Sequence, residues 1–173
     1  GICLFLGEAP RTSIWIKTMK PLELKFIRTD SGNPDFRRLV EELDAELAER
    51  DGPQHGFYHQ FNGMEGLDRV TLAYTDQRAV ACGAMKKTES GELEVKRIFT
   101  IPGFRGRGLA GRLLQELERW AFEEGYSRIV LETGRRQPEA IGLYRKHGYC
   151  QTENYGPYMG VANSVCFEKK LGH

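Results

Sequence analysis

Between Val95 and Leu114 the chain reads VKRIFTIPGFRGRGLAGRLL. A strand-like run passes through Pro102-Gly103 and Arg105-Gly106-Arg107-Gly108-Leu109-Ala110 into an apolar-periodic helix. Glycines there free backbone N–H groups from Cβ interference, so that several can point into one space. The helix start adds N–H donors without intrahelical partners and the positive end of a dipole, which favours an anion. The guanidinium groups of Arg105, Arg107 and Arg112 suit phosphate. The segment reads as a pyrophosphate cradle. Its spacing also fits a dinucleotide fingerprint, Gly106-x-Gly108-x-x-Gly111, with Glu132 about 20 residues further on. Residues 102–105, however, intervene between the strand and the first glycine. A Walker loop is excluded, because no Gly-Lys-Ser/Thr follows.

Little else in the sequence offers metal or redox chemistry. Cys3, Cys82, Cys150 and Cys166 have no C-x-x-C spacing and no nearby histidine partner, so they read as free buried thiols in a reducing compartment, and no metal is expected. At 173 residues with 40% apolar and 28% charged residues, the chain is one globular domain's worth. Disorder, collagen and coiled coil are excluded. A net charge of +1 argues against a nucleic-acid partner, so an anion site must rest on a local cluster. The apolar start Ile2–Leu6 is too short for a membrane span and lacks the basic n-region of a signal peptide. No membrane partner and a cytoplasmic location are therefore expected. Residues 1–18 read as an N-terminal extension and 19–173 as a single domain.

The elements that must position the cradle follow from periodicity. Leu22–Ile27 alternates as a half-buried strand. Asn33-Pro34 supplies an N-cap and an N1 proline to a helix carrying Phe36, Leu39, Val40, Leu43 and Leu47, closed by Asp51-Gly52. Gln54–Gly66 is aromatic, polar and Gly-rich without a period, either a short helix with a loop or a pocket wall. Three strands, Arg69–Thr75, Ala79–Lys86 and Leu93–Ile101, follow on connectors too short for a helical crossover, so they must be antiparallel. An amphipathic helix from Leu109 to Ala121 ends at Gly125. Strand Arg128–Leu131, helix Pro138–Lys146 ended by Gly148, and strands Tyr149–Glu153 and Ser164–Lys169 complete the chain. The order predicts a mixed α+β sheet with one βαβ unit.

Two segments at this separation carry a resemblance. Arg105-Gly106-Arg107-Gly108-Leu109-Ala110 resembles the R/Q-x-x-G-x-G/A motif of the GCN5-related N-acetyltransferase (GNAT) superfamily. Gln137-Pro138-Glu139-Ala140-Ile141-Gly142-Leu143-Tyr144-Arg145-Lys146-His147-Gly148-Tyr149 is similar to its N-x-x-A-x-x-L-Y-x-x-x-G-F/Y signature, with Gln137 where the family usually has Asn. The resemblance covers roughly Val70 to Leu171. It implies the acyl-CoA N-acyltransferase fold: a mostly antiparallel sheet with a splayed parallel strand pair, flanked by about four helices.

What the resemblance implies can be placed residue by residue. Acetyl-CoA, as co-substrate, would lie between Leu93–Ile101 and Arg128–Leu131. Its pantetheine arm would pair with Ile98, Phe99 and Thr100, its pyrophosphate would sit on the N–H groups from Arg105 through Gly106, Arg107, Gly108 and Leu109 to Ala110, and Gln137 would offer an amide to the arm. A primary amine, small or amino-acid-like, would attack the thioester directly in a ternary complex; a peptide amine stays open. Tyr144 matches the tyrosine that commonly donates to the leaving thiolate, a phenol ordinarily near pKa 10. Packing on the core is its competing reading. Glu94 is the favoured base, because alternation puts it on one strand face with Lys96, Ile98 and Thr100; a carboxylate merely salt-bridged to Lys96 competes. His55, His59 and Glu132 are held in reserve. The acceptor would be met by Gln54–Asn62 and Asn154–Val161, with His55, Tyr58, Glu132 and Tyr155 as its contacts. A homodimer is compatible with this reading. The rivals are a Rossmann-like nucleotide enzyme and a non-catalytic acyl-CoA-binding module.

Overall fold

The computed structural model describes residues 21–54 and 63–172. The proposed 1–18 extension, His55, Tyr58 and His59 lie outside them. Seven strands form one sheet: β1 (Lys25–Thr29), β2 (Arg69–Thr75), β3 (Arg78–Lys87), β4 (Leu93–Thr100), β5 (Arg128–Gly134), β6 (Cys150–Thr152) and β7 (Ser164–Lys170), in the order β1-β2-β3-β4-β5-β7-β6. Three α-helices are present among the described residues: α1 (Pro34–Asp51), α2 (Leu109–Glu123) and α3 (Pro138–Lys146). Against the expected count of about four, three fall among the described residues, each on a run with a helical apolar period. The stretch read as a short helix or a pocket wall falls mostly on residues 55–62, outside the description.

The helix ends follow their sequence signals. Asn33 Oδ1 accepts from the N–H groups of Asp35 at 2.9 Å and Phe36 at 3.3 Å, with Pro34 at the first helical position. Gly125, at φ +89°, turns the chain out of α2, and the Tyr126 N–H donates to Ala121 O. Leu109, Leu113, Leu114, Leu117 and Ala121 make the buried stripe of α2.

Every strand pairing is antiparallel except that of β4 with β5. A doubly wound dinucleotide fold needs two parallel halves, so this topology removes the Rossmann alternative. The parallel ladder is short: Leu93↔Ile129, Glu94↔Val130 and Val95↔Leu131, and nothing beyond. Past Val95 the two strands part.

A bulge lies at the parting. Arg97 takes φ +61°, and the β3–β4 register shifts between Cys82 and Ala84. Arg97 is held there by Asp44 of α1, its Nη1 donating to Oδ1 at 2.5 Å. Opposite stands Gly83, where an added Cβ would come within 2.6 Å of Ile98 Cδ1 and 3.0 Å of Leu117 Cδ1. The glycine lets β4 turn Ile98 into the core under α2.

Alternation assigns the two faces of the sheet. Lys169 reaches Glu118 of α2 at 2.9 Å, so the residues in register with it (Ile129 and Leu93, then Phe167, Leu131 and Val95) face α2. Tyr144 of α3 packs on Phe167 and Tyr149, with ring centroids 6.0 and 5.8 Å away. Glu94, Lys96, Glu132 and Cys166 occupy the opposite face.

Candidate active site

The glycine loop leaves β4 through a 3-10 turn at Pro102–Phe104 and delivers Gly108 as the N-cap of α2. Gly106 and Gly108 both hold φ +78°, a conformation that strains any other residue, and a Cβ built on either meets nothing within 4 Å. The space above these glycines is open. The first N–H groups of α2 (Leu109, Ala110 and Gly111) have no intrahelical acceptor, since the ladder begins with Arg112 N to Gly108 O. Gly111 serves a different purpose: a Cβ there would lie 2.5 Å from His147 Nε2, so its absence lets the end of α3 pack on α2.

The arginines divide. Arg105 donates from Nε to Thr100 O at 2.8 Å and from Nη2 to both Glu46 oxygens at 2.9 and 3.0 Å, while its N–H goes to Pro102 O. It lies over the Phe99 ring and clamps the loop to α1. The cradle of available donors therefore starts at Gly106. Arg107 lies over Phe104 and Arg112 over Phe26, both exposed.

Where β4 and β5 part, Lys96 and Glu132 are the first residues beyond the ladder. Glu132 is 1% exposed, and burial pushes its carboxyl above the usual carboxylate range, with Ser164 pulling the other way. Lys96 Nζ lies 3.7 Å from Glu94 Oε1 and donates to the Tyr158 hydroxyl at 3.4 Å. The Tyr155 hydroxyl donates to Glu94 Oε2 at 2.6 Å, and the two tyrosine rings meet edge to face at 5.5 Å. Burial, reinforced by Glu94, raises both phenols well above their ordinary value, and burial pushes the Cys166 thiol up to about 11. Asn154 holds this loop in place: its side-chain nitrogen is 3.1 Å from the carbonyl oxygens of Tyr158, Val161 and Ser164. A pocket of about 680 Å³ opens over Glu94 and Lys96, between the β3–β4 hairpin and the Tyr155–Tyr158 turn.

At the far end of β5, Gln137 precedes α3. It is 8% exposed, and its Oε1 is buried without a hydrogen-bond partner. Open positive-φ glycines, parted strands and a buried unused acceptor are what an extended phosphorylated cofactor arm would need.

The Acetyltransferase (GNAT) family model matches residues 34–149. The chain belongs to this family. It is 38% identical over 144 residues to an IAA acetyltransferase of Azospirillum brasilense, covering 78% of this chain and 89% of the relative. A candidate acyl-CoA N-acyltransferase from Klebsiella pneumoniae superposes with TM-score 0.71 at 29% identity, over 87% of this chain and 99% of that one. A GNAT family acetyltransferase from Elizabethkingia anophelis, solved with acetyl-CoA bound, shares the fold with TM-score 0.61 at 17% identity, over 86% and 98% of the two chains. As a GNAT acetyltransferase, the protein is an acyltransferase that uses acetyl-CoA as co-substrate.

Of the residues singled out in the sequence, the structure brings Glu94, Glu132 and Tyr155 to one side of the split. Tyr144, 1% exposed, lies on the other. Ile98, Phe99 and Thr100 run along β4 where β5 has left it. Lys96 joins the cluster although it was read from sequence only as a salt-bridge partner of Glu94, and Tyr158 joins it from the Asn154–Val161 stretch expected to meet the acceptor. The signal for Lys96 was its alternation with Glu94; Tyr158 is held against it through the Asn154 knot.

Proposed function

We propose that this GNAT enzyme acetylates the primary amine of a small molecule bound in the pocket over Glu94, by direct attack in a ternary complex. Acetyl-CoA supplies an activated acyl group as a thioester and, after transfer, a thiolate that must be protonated. The N–H groups from Gly106 to Ala110 hold its pyrophosphate, the unpaired edge of β4 at Ile98–Thr100 holds its pantetheine arm, and Gln137 offers an amide from the end of β5. Glu94 takes the proton from the amine, directly or through one water, while Tyr155 and Lys96 hold its carboxylate in place. Tyr144 approaches the split from the α2 face and donates to the departing sulfur.

The parting of β4 from β5 after Val95 carries this reading, since it leaves the β4 edge beyond Val95 without its parallel partner, beside Glu94 and Lys96. The small-molecule acceptor is supported by the pocket over Glu94 and by the relationship to an IAA acetyltransferase. The test is steady-state release of CoA thiol with a panel of primary amines. Glu94→Gln is expected to lower kcat about 10²-fold for any amine used, with acetyl-CoA affinity kept. Unchanged kcat would remove Glu94 as the base.

A further inference from the structure

The acceptor pocket holds a cation, Lys86, that the acetyl-transfer reading does not use. Three lysines line it: Lys86, Lys87 and Lys96. Lys96 is matched by Glu94, and the other oxygen of Glu94 is taken by Tyr155. Glu65 and Glu89, which also border the pocket, are exposed at its rim. Lys86 is half-buried on β3, with its stem laid over Gly66, where a Cβ would meet Lys86 Cε at 3.1 Å. Neither Lys86 nor Lys87 makes an ion pair among the described residues. A half-buried cation facing a cavity without a counter-ion is a standing attraction for an anionic group.

Register fixes how far this cation lies from the chemistry. Lys86 pairs with Glu94 across the β3–β4 ladder, so the two share a face, and Lys96 is its diagonal neighbour at roughly 7–8 Å between Cα atoms. The parting point of β4 and β5, where the amine must meet the thioester, is therefore within reach of a small molecule whose other end touches the Lys86 ammonium. Tyr155 and Tyr158 wall the space between with aromatic surface.

We propose that the acceptor is a primary amine carrying a carboxylate a few bonds away, as in a free amino acid, and that Lys86, on the Glu94 face of the sheet, binds that carboxylate. This rests on the acetyl-transfer reading above and names its substrate class. Lys86 is thus a specificity residue: it orients the acceptor and takes no part in the proton transfers.

The test compares CoA release with the free L-amino acids and with their α-carboxamides, for the wild type, Lys86→Gln and Lys86→Glu. The expected result is a KM at least 10-fold lower for acids than for amides in the wild type. Lys86→Gln should erase that preference with kcat within about 2-fold, and Lys86→Glu should invert it. A merely structural role for Lys86 would move both acceptor series together. Amides used as well as acids, with Lys86→Gln silent, would overturn the carboxylate assignment and leave acetyl transfer standing. No thiol release with either series would overturn the amine-acceptor reading and this assignment with it.

Discussion

Glu132 reports the electrostatics of the split at the scale of one residue. Burial raises its carboxyl in the folded chain, so the fold holds that proton to higher pH than the unfolded chain does. Its contribution to stability is fully present below the unfolded value of about 4.3 and is lost as pH rises through the folded value. Glu132→Gln is therefore expected to gain melting temperature over the wild type progressively as pH climbs above about 4. Parallel curves for the two proteins would contradict the desolvated carboxyl. Glu132 was legible in the sequence as an acidic residue after a strand and a reserve for the acceptor site, but not as a buried one. Its burial depends on β5 continuing past Leu131 to Gly134, because Glu132–Gly134 pair with Cys166–Ser164 of β7, and a distant strand leaves no local mark. Arg105 shows the same limit in reverse. Its type suggested phosphate, but Glu46 of α1, 59 residues earlier in the chain, takes the guanidinium.

The glycine loop and the two helices it connects belong to the next scale. Gly108 and Gly111 belong to one motif by spacing but do different things. Gly108→Asp puts bulk and negative charge into open space above the α2 N-terminus, and acetyl-CoA affinity should fall at least 10-fold by calorimetry. Gly111→Val should instead press on His147 and cost about 1–3 kcal/mol of stability in denaturant unfolding. Equal effects of the two on binding and stability would sink this division of roles. Glu46→Gln should free Arg105 and raise the KM for acetyl-CoA several-fold; an unaltered KM would mean the α1 clamp does not set the loop. The helices were legible because caps and period agree: Asn33-Pro34, Gly125 and Gly148 fall at the expected ends. The first strand was placed a few residues early, at Leu22–Ile27, because alternation begins before pairing does. The pairing of β1 with β2 covers Lys25–Thr29. The bulge at Arg97 was not legible, since an arginine at φ +61° contradicts local preference and is held by Asp44 from another element.

At the scale of the whole molecule, the sheet order places Glu94 and Tyr144 on opposite faces of the sheet. Short connectors made the β2–β3–β4 meander readable, and the family resemblance supplied the split. The insertion of β7 between β5 and β6 is a long-range choice that no spacing encodes. That insertion sets Phe167 under Tyr144 and Cys166 beside Glu132, and so gives the two faces their different chemistry. The central claim is that Tyr144 serves the sulfur from one face while Glu94 serves the amine from the other. The most direct measurement pairs kcat with the calorimetric acetyl-CoA Kd for Tyr144→Phe, a change that keeps the ring packed on Phe167 and Tyr149. The account predicts kcat about 10²-fold lower with Kd unchanged; an unchanged kcat would contradict it and leave Tyr144 as a core aromatic.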